Sequence, residues 1–358
     1  MSKQTKLKLA CVAIMALLCV GYASAFSTSM YANNSRLSTG KWIKITVPES
    51  GMYEITYDEL REMGFNNPEQ VKVYGHGGNR INELLNGSAI DDIKPVPILR
   101  TGDKICFYGN GPISMSIADY STTPHFTRVF NPYSQVGCYF LNENGEADTT
   151  PSKKSIVTVS NYIDKSSSLN FFYHENEQVS ISSSGKEMLG EDFTNEKLLI
   201  DYELPGLADS TVVVQTCIAA TADEITYANG IIHSGGVNDT TSYSLSSSRI
   251  YKPSTNVFYN FASPFGRMKL TKPAISGQFE PLLKFTTTSG TATIARLDYV
   301  IITYNRQNII QENEHSQFLM GYNMTRGNER FMLPNASSNT IVWYLGNTNA
   351  PQLVTTQP

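Results

Sequence analysis

The stretch Gly40 to Gly78, GKWIKITVPESGMYEITYDELREMGFNNPEQVKVYGHGG, decides the fold class. Ile43, Ile45 and Val47 alternate with Lys44 and Thr46, the period of a half-buried strand. Pro48, Glu49, Ser50 and Gly51 supply a turn, and Tyr53 and Ile55 continue as a returning strand. Thr56 and Glu59 spell a capping box, T-x-x-E, that opens a short helix through Leu60 and Met63. Gly64 suits the left-handed stop of that helix. Val71, Val73 and Tyr74 form the next strand, ended by Gly75, Gly77 and Gly78. The expectation is a hairpin, one short helix and a strand.

The rest of the chain extends this reading. At 358 residues and about 150 residues per domain, two domains are expected. The 20 Tyr, the many Thr and Ser and the scarcity of long helical patterns favour β structure. The fold class expected is all-β and mainly antiparallel: two β-sandwich or jelly-roll-like domains, with one short helix in the first. Net charge is −4, with Lys and Arg scattered rather than clustered. That argues against a nucleic-acid partner.

The N-terminus reads as a secretory signal over residues 1–25. Lys3, Lys6 and Lys8 form a charged region, Leu9 to Val20 an apolar one, and Ala23-Ser24-Ala25 an A-x-A cleavage site before Phe26. The apolar run is shorter than the roughly 20 residues needed to span a bilayer. A lipoprotein signal fits less well, because Cys19 follows Leu18 where a small residue is needed. Cys11 and Cys19 leave with the signal, so Cys106, Cys138 and Cys217 remain. An exported protein can form a disulfide, but Cys106 and Cys217 lie in apolar runs and read as buried free thiols.

Residues 26–39 are polar and expected to be flexible. A first β domain is expected over 40–142, a linker over 143–156 and a second β-sandwich domain over 157–306. Strand candidates in the second are Leu198–Tyr202, Thr211–Ile218, Ser242–Leu245, Lys269–Leu270, Leu282–Thr287, Ala292–Ala295 and Leu297–Tyr304, with a hairpin turn at Ser289-Gly290. Residues 307–358 read as returning strands, Phe318–Tyr322 and Ile341–Leu345, followed by a further linker.

Several stretches carry a resemblance. They are Gly40 to Gly78, Gly102 to Pro112 (GDKICFYGNGP), and Asn131-Pro132-Tyr133-Ser134 followed by Gly137 to Leu141. Tyr173-His174-Glu175, Ser184-Gly185, Gly190-Glu191-Asp192-Phe193 and Leu297 to Ile302 complete the set. In this order and spacing they resemble the N-terminal, non-catalytic region of the PorU family, the gingipain-like sortases of the type IX secretion system of Bacteroidetes. The resemblance covers nearly all of the mature chain. It implies that the cysteine peptidase domain would lie beyond Pro358, so that 307–358 leads toward a domain absent from this sequence. It further implies export to the periplasm or the outer-membrane cell surface. The implied partners are an outer-membrane β-barrel protein of the secretion system and other proteins of the attachment complex. The family removes C-terminal secretion signals from cargo and attaches the cargo to surface lipopolysaccharide.

The tempting chemical constellation is Gly75-His76-Gly77 with Cys106 downstream, since gingipain-like peptidases pair a His with a Cys thiolate at strand ends. The context argues against it. Cys106 sits inside a strand pattern that Phe107 and Tyr108 continue, and His76 lies in a glycine-rich turn. No catalytic residue is assigned; His76 and Cys106 are a decoy pair. The five His show no H-x-x-x-H spacing, and no C-x-x-C is present, so neither a metal site nor a cofactor is expected. His174 and Glu175 could pair. Asp91-Asp92 and Glu191-Asp192 could ligate calcium, though adjacent carboxylates are more often a solvated turn. Gly109-Asn110-Gly111-Pro112 is a tight turn without the Lys-Ser/Thr of a phosphate loop. Asp148-Thr149-Thr150, Asp209-Ser210-Thr211 and Asp239-Thr240-Thr241 match the Asp-Ser/Thr-X acceptor of Bacteroidetes O-glycosylation.

The leading expectation is therefore a non-catalytic β module used for docking or scaffolding. The alternative is a stand-alone exported surface-binding protein for glycan or protein. Aromatic-rich Phe171-Phe172-Tyr173 would serve that alternative.

Overall fold

The computed structural model describes residues 31–82, 90–118, 124–144, 149–155, 160–180, 188–194, 198–222, 227–233, 240–246, 260–262, 265–269, 282–287, 292–310, 315–318 and 328–355. The signal region, Ser184-Gly185, Asp148, Asp239 and the Ser289-Gly290 turn lie outside the described residues. The described chain is predominantly antiparallel β, with one short α-helix, Tyr57–Glu62. The expected all-β, sandwich-like fold class is what forms.

The first eight strands are β1 (Ile43–Val47), β2 (Gly51–Thr56), β3 (Lys72–Gly77), β4 (Ile98–Thr101), β5 (Lys104–Gly109), β6 (Ile113–Ala118), β7 (His125–Phe130) and β8 (Gly137–Asn142). They build two three-stranded sheets, β1-β8-β3 and β2-β5-β4, and the ribbon β6-β7. The alternation in β1 is realised: Val47 is buried while Lys44 and Thr46 are exposed. The capping box also forms, with Thr56 Oγ1 accepting from the Glu59 N–H at 3.2 Å and Glu59 Oε2 accepting from the Thr56 N–H at 2.7 Å. Leu60 on this helix is buried among Phe65, Val73, Ile98, Phe107 and Leu141. That core draws on both sheets. Each such side chain contributes about 1.5–3 kcal/mol of hydrophobic stabilisation.

One expectation fails here. β1 and β2 do not form a hairpin: β1 pairs with β8, and β2 pairs with β5. The turn between them is a corner that carries the chain from one sheet to the other. Ser50 fixes it, donating from Oγ to the Ile113 carbonyl at 3.1 Å and accepting from the Gly111 N–H at 2.9 Å. Alternation reports which face a strand buries, but not which strand lies beside it.

The later strands are β9 (Ser152–Lys154), β10 (Tyr162–Lys165), β11 (Ser167–Glu175), β12 (Val179–Ser180), β13 (Met188–Leu189), β14 (Leu198–Asp201), β15 (Leu207–Ala222) and β16 (Tyr227–His233). They continue with β17 (Thr240–Ser246), β18 (Asn260–Ala262), β19 (Phe265–Lys269), β20 (Leu282–Thr287), β21 (Ala292–Gln307), β22 (Asn328–Phe331), β23 (Val342–Tyr344) and β24 (Gln352–Val354). The largest sheet runs β11-β21-β15-β18, with β19 also on β15; a second runs β14-β20-β16-β17. The two apolar pieces read around Arg296 are one continuous strand, β21.

Leu297, Val300, Ile301 and Ile302 of β21 are all fully buried. A near-continuous apolar run of this kind needs cover on both faces of its sheet. On one face Val300, Ile302 and Tyr304 pack with Val212, Val214, Ile200 and Phe193. On the other, Ile301 and Leu169 pack with Phe126 of the β6–β7 ribbon, supported by Met115 and Ile117. The ribbon is thus an arm reaching from the first group of strands onto the sheet of the second. The polar stretch read as a linker carries β9, which pairs in parallel with β24, while β10 pairs in parallel with β22.

Candidate functional site

The arm buries a charge where it meets the sheet. Phe126, Arg128 and Phe130 occupy one face of β7, because alternate residues of a strand share a face. Glu175 ends β11, and Tyr173 precedes it on the same face. Asp298 reaches this face through an irregularity. Cys217 pairs with Tyr299 but Ile218 pairs with Leu297, so Asp298 is the extra residue of a β-bulge in β21. Bulges re-aim side chains in this way. Leu297 therefore stays in the inter-sheet core while Asp298 turns toward the arm.

Arg128 Nη2 donates to both carboxylate oxygens of Asp298 at 3.0 Å. Its Nη1 lies 2.6 Å from Glu175 Oε1, an ion pair without the alignment of a hydrogen bond. The three side chains are 5–10% exposed. The guanidinium also lies over the rings of Tyr299 and Phe130, at 4.2 and 4.6 Å from their centroids. The Tyr173 hydroxyl donates to Glu175 Oε2. A cavity of about 170 Å³ adjoins the cluster, lined by Arg128, Phe130, Glu177, Met188 and Cys217 among others.

Burial pushes the Glu175 carboxyl up to about 7 despite the opposing pull of Arg128. Burial likewise raises Asp298, against Arg128 and a hydrogen bond from the Cys217 thiol, and raises Glu177. Tyr173 is raised by burial and by the neighbouring Glu175 charge. Arg128 is held above its usual range by Asp298 and Glu175, which outweigh the burial that opposes its charge.

The residues singled out in the sequence have other settings. The His76 imidazole Nε2 lies 3.0 Å from the Asp92 carbonyl. Cys106 is buried within β5, with Sγ 3.5 Å from Glu54 Oε1 and 3.9 Å from Thr101 Oγ1. Burial and the Glu54 charge push its thiol up, away from the thiolate a nucleophile needs. No described contact pairs Cys106 with a histidine, and no group of three or more His, Cys, Asp or Glu among the described residues could hold a metal. Cys106, Cys138 and Cys217 form no disulfide.

His174 does not pair with Glu175. Its Nε2 lies 2.8 Å from Glu191 Oε1, because neighbours along a strand face opposite ways. Asp192 instead accepts from Arg296 at 3.2 Å and from the Thr194 N–H at 2.9 Å. Asp92 accepts from Ser35 Oγ at 2.9 Å and the Arg36 N–H at 2.7 Å, and Asp91 accepts from the Ala32 N–H. Asp209 accepts from Asn305 Nδ2 at 2.6 Å. Phe171 and Tyr173 pack toward the arm and Phe172 toward the inter-sheet core.

The turn 109–112 is a packing junction. The Asn110 N–H donates to the Tyr139 hydroxyl and the Asn110 carbonyl accepts from the Gly78 N–H, both at 2.8 Å. A Cβ at Gly77 (φ +70°) or Gly137 would lie only 2.5 or 2.3 Å from that carbonyl. Asn110 Nδ2 also donates to Asn349 Oδ1 at 3.2 Å.

The sequence reading missed the Arg128 cluster. The available signal was charge out of place: Arg128 at an inward position of HFTRVF, and Asp298 inside LDYVII. A charge within an apolar run predicts a buried partner.

No protein-family model and no curated sequence matches this chain. Among solved structures it is similar to dimeric latent PorU from Porphyromonas gingivalis, with a TM-score of 0.71 and 22% identity over 92% of this chain. The match spans 30% of that PorU chain, so this protein has the fold of part of a longer protein. VP2 of infectious bursal disease virus, as a subviral particle, aligns with a TM-score of 0.24 at 10% identity over 79% of this chain and 77% of its own. The Gx strain of the same virus aligns at 0.22 and 9%, over 82% and 78%. Neither viral likeness carries weight.

Proposed function

We propose that this chain is the non-catalytic N-terminal β module of a PorU-type sortase of the type IX secretion system, exported and working at the outer-membrane cell surface. Its role is docking on the outer-membrane β-barrel partner, or scaffolding of the peptidase that removes cargo signals and anchors cargo. The observation that carries this is the shared fold over 92% of the chain. The order of the PorU-like stretches along the sequence supports it. In this role the chain carries no catalysis, cofactor or metal of its own, and 40–142 and 157–306 are its two units.

The internal packing of Phe171, Phe172 and Tyr173 removes the main feature that favoured glycan binding. The test is co-purification. Residues 26–358, tagged and presented to solubilised outer membrane, should retain the β-barrel protein of the secretion system. Failure to retain it, with the bait folded, overturns the docking role.

A further inference from the structure

We propose that Arg128 latches the β6–β7 arm onto the large sheet, and that ionisation of the carboxylates around it releases the arm. The base of the arm is fixed. Asn131 donates from its N–H to the Pro112 carbonyl at 2.8 Å and from Nδ2 to the Gly78 carbonyl at 2.9 Å. Beyond that base, β6 and β7 pair with each other and with no third strand among the described residues. Docking rests on side chains: the apolar contact of Phe126, Met115 and Ile117 with Leu169 and Ile301, the Phe126 N–H on Thr303 Oγ1 at 3.1 Å, and Arg128. An element held without a backbone ladder can open below the cost of global unfolding.

The charge count makes this latch sensitive to pH. One guanidinium from β7 faces Glu175 of β11, Glu177 just beyond it and Asp298 of β21. Tyr173, Tyr299 and Cys217 are the other titratable groups around it, and none supplies a second cation. His125 occupies the opposite face of the arm by strand alternation. With Glu175 protonated, the one arginine balances the Asp298 carboxylate it binds. With Glu175 and Asp298 both ionised, the buried cluster holds net negative charge, which is costly unless water enters. Opening the arm admits that water. Glu175 titrates near 7 when docked against an ordinary value of 4.5, so its ionisation alone raises opening about tenfold between pH 6 and 8.

Amide hydrogen exchange on the full chain tests this, with rates converted to protection factors at pH 6, 7 and 8 and β5 amides as internal reference. The expected result is an approximately tenfold fall in protection for β6 and β7 while β5 holds, and less than a twofold change in E175Q. Unchanged arm protection in the wild type overturns the latch. So does a fall shared equally by β5, which marks global unfolding, or an E175Q variant that keeps the wild-type slope.

Discussion

The core of the first strands and the junction between the arm and the large sheet are built on different principles. The core of β1–β5 and β8 is closed by apolar side chains, with Val47, Leu60, Val71, Val73, Ile105, Phe107 and Leu141 at 0% exposure. The face between the arm and the large sheet combines a small apolar patch, Phe126, Leu169 and Ile301, with a buried arginine and two carboxylates. The first is non-directional and tolerant of small shifts. The second works only where Arg128, Glu175 and the bulged Asp298 coincide. Burial of ions adds little net stability but strongly penalises misalignment. The apolar core therefore supplies stability, and the charged junction selects one docking geometry.

The largest effect is expected from Phe107→Ala. Phe107 stacks on Tyr53 at 5.8 Å and meets Tyr139 edge-on at 5.5 Å. Its truncation should cost about 3–5 kcal/mol in denaturant unfolding and expose β5 and β3 amides together. Arg128→Met should cost about 3 kcal/mol, concentrated in the arm. If β5 loses protection as much as β7 does, the two regions are not separable and the comparison collapses.

Next comes pH. The folded-state value of Glu175 is raised to about 7, so the folded protein holds a proton that the unfolded chain has released above about pH 4.5. Its stabilising contribution is full below that value, falls as pH rises from 4.5 to 7, and is absent above. The loss should reach about 3 kcal/mol at a rough 1.4 kcal/mol per pH unit. Stability of the wild type minus that of E175Q, measured from pH 4.5 to 8, isolates this slope from Glu54 and Asp92, whose lowered values act in the opposite sense. A flat difference would remove the pH dependence from the junction. The smallest effect is Thr56→Ala, which deletes the helix cap at a cost of about 1 kcal/mol and should leave arm protection untouched.

The sequence exposed local facts more readily than pairings. The capping box at Thr56 and Glu59, the alternation of β1 and the left-handed Gly64 (φ +87°) all correspond to short-range physics, and all are found. The placement of β1 beside β8 rather than β2 depends on contacts about a hundred residues apart, which no local pattern encodes. The bulge at Asp298 was hidden for a related reason. Alternation assigns it to the inter-sheet face, and only the register shift against β15 reverses that. Sequence adjacency points His174 to Glu175, whereas the strand turns it toward Glu191.

The parallel pairing of β9 with β24 has a consequence in time rather than space. Ser152 hydrogen-bonds with Gln352 across 200 residues of chain. A polypeptide emerging from the ribosome or a translocon can close β1 on β8 once residue 142 is out, but β9 must wait about 200 residues more for β24. Long-range contacts of this kind slow folding. The early strands can therefore mature on the way out, whereas the seam between residues 152 and 354 closes only after residue 354 has emerged.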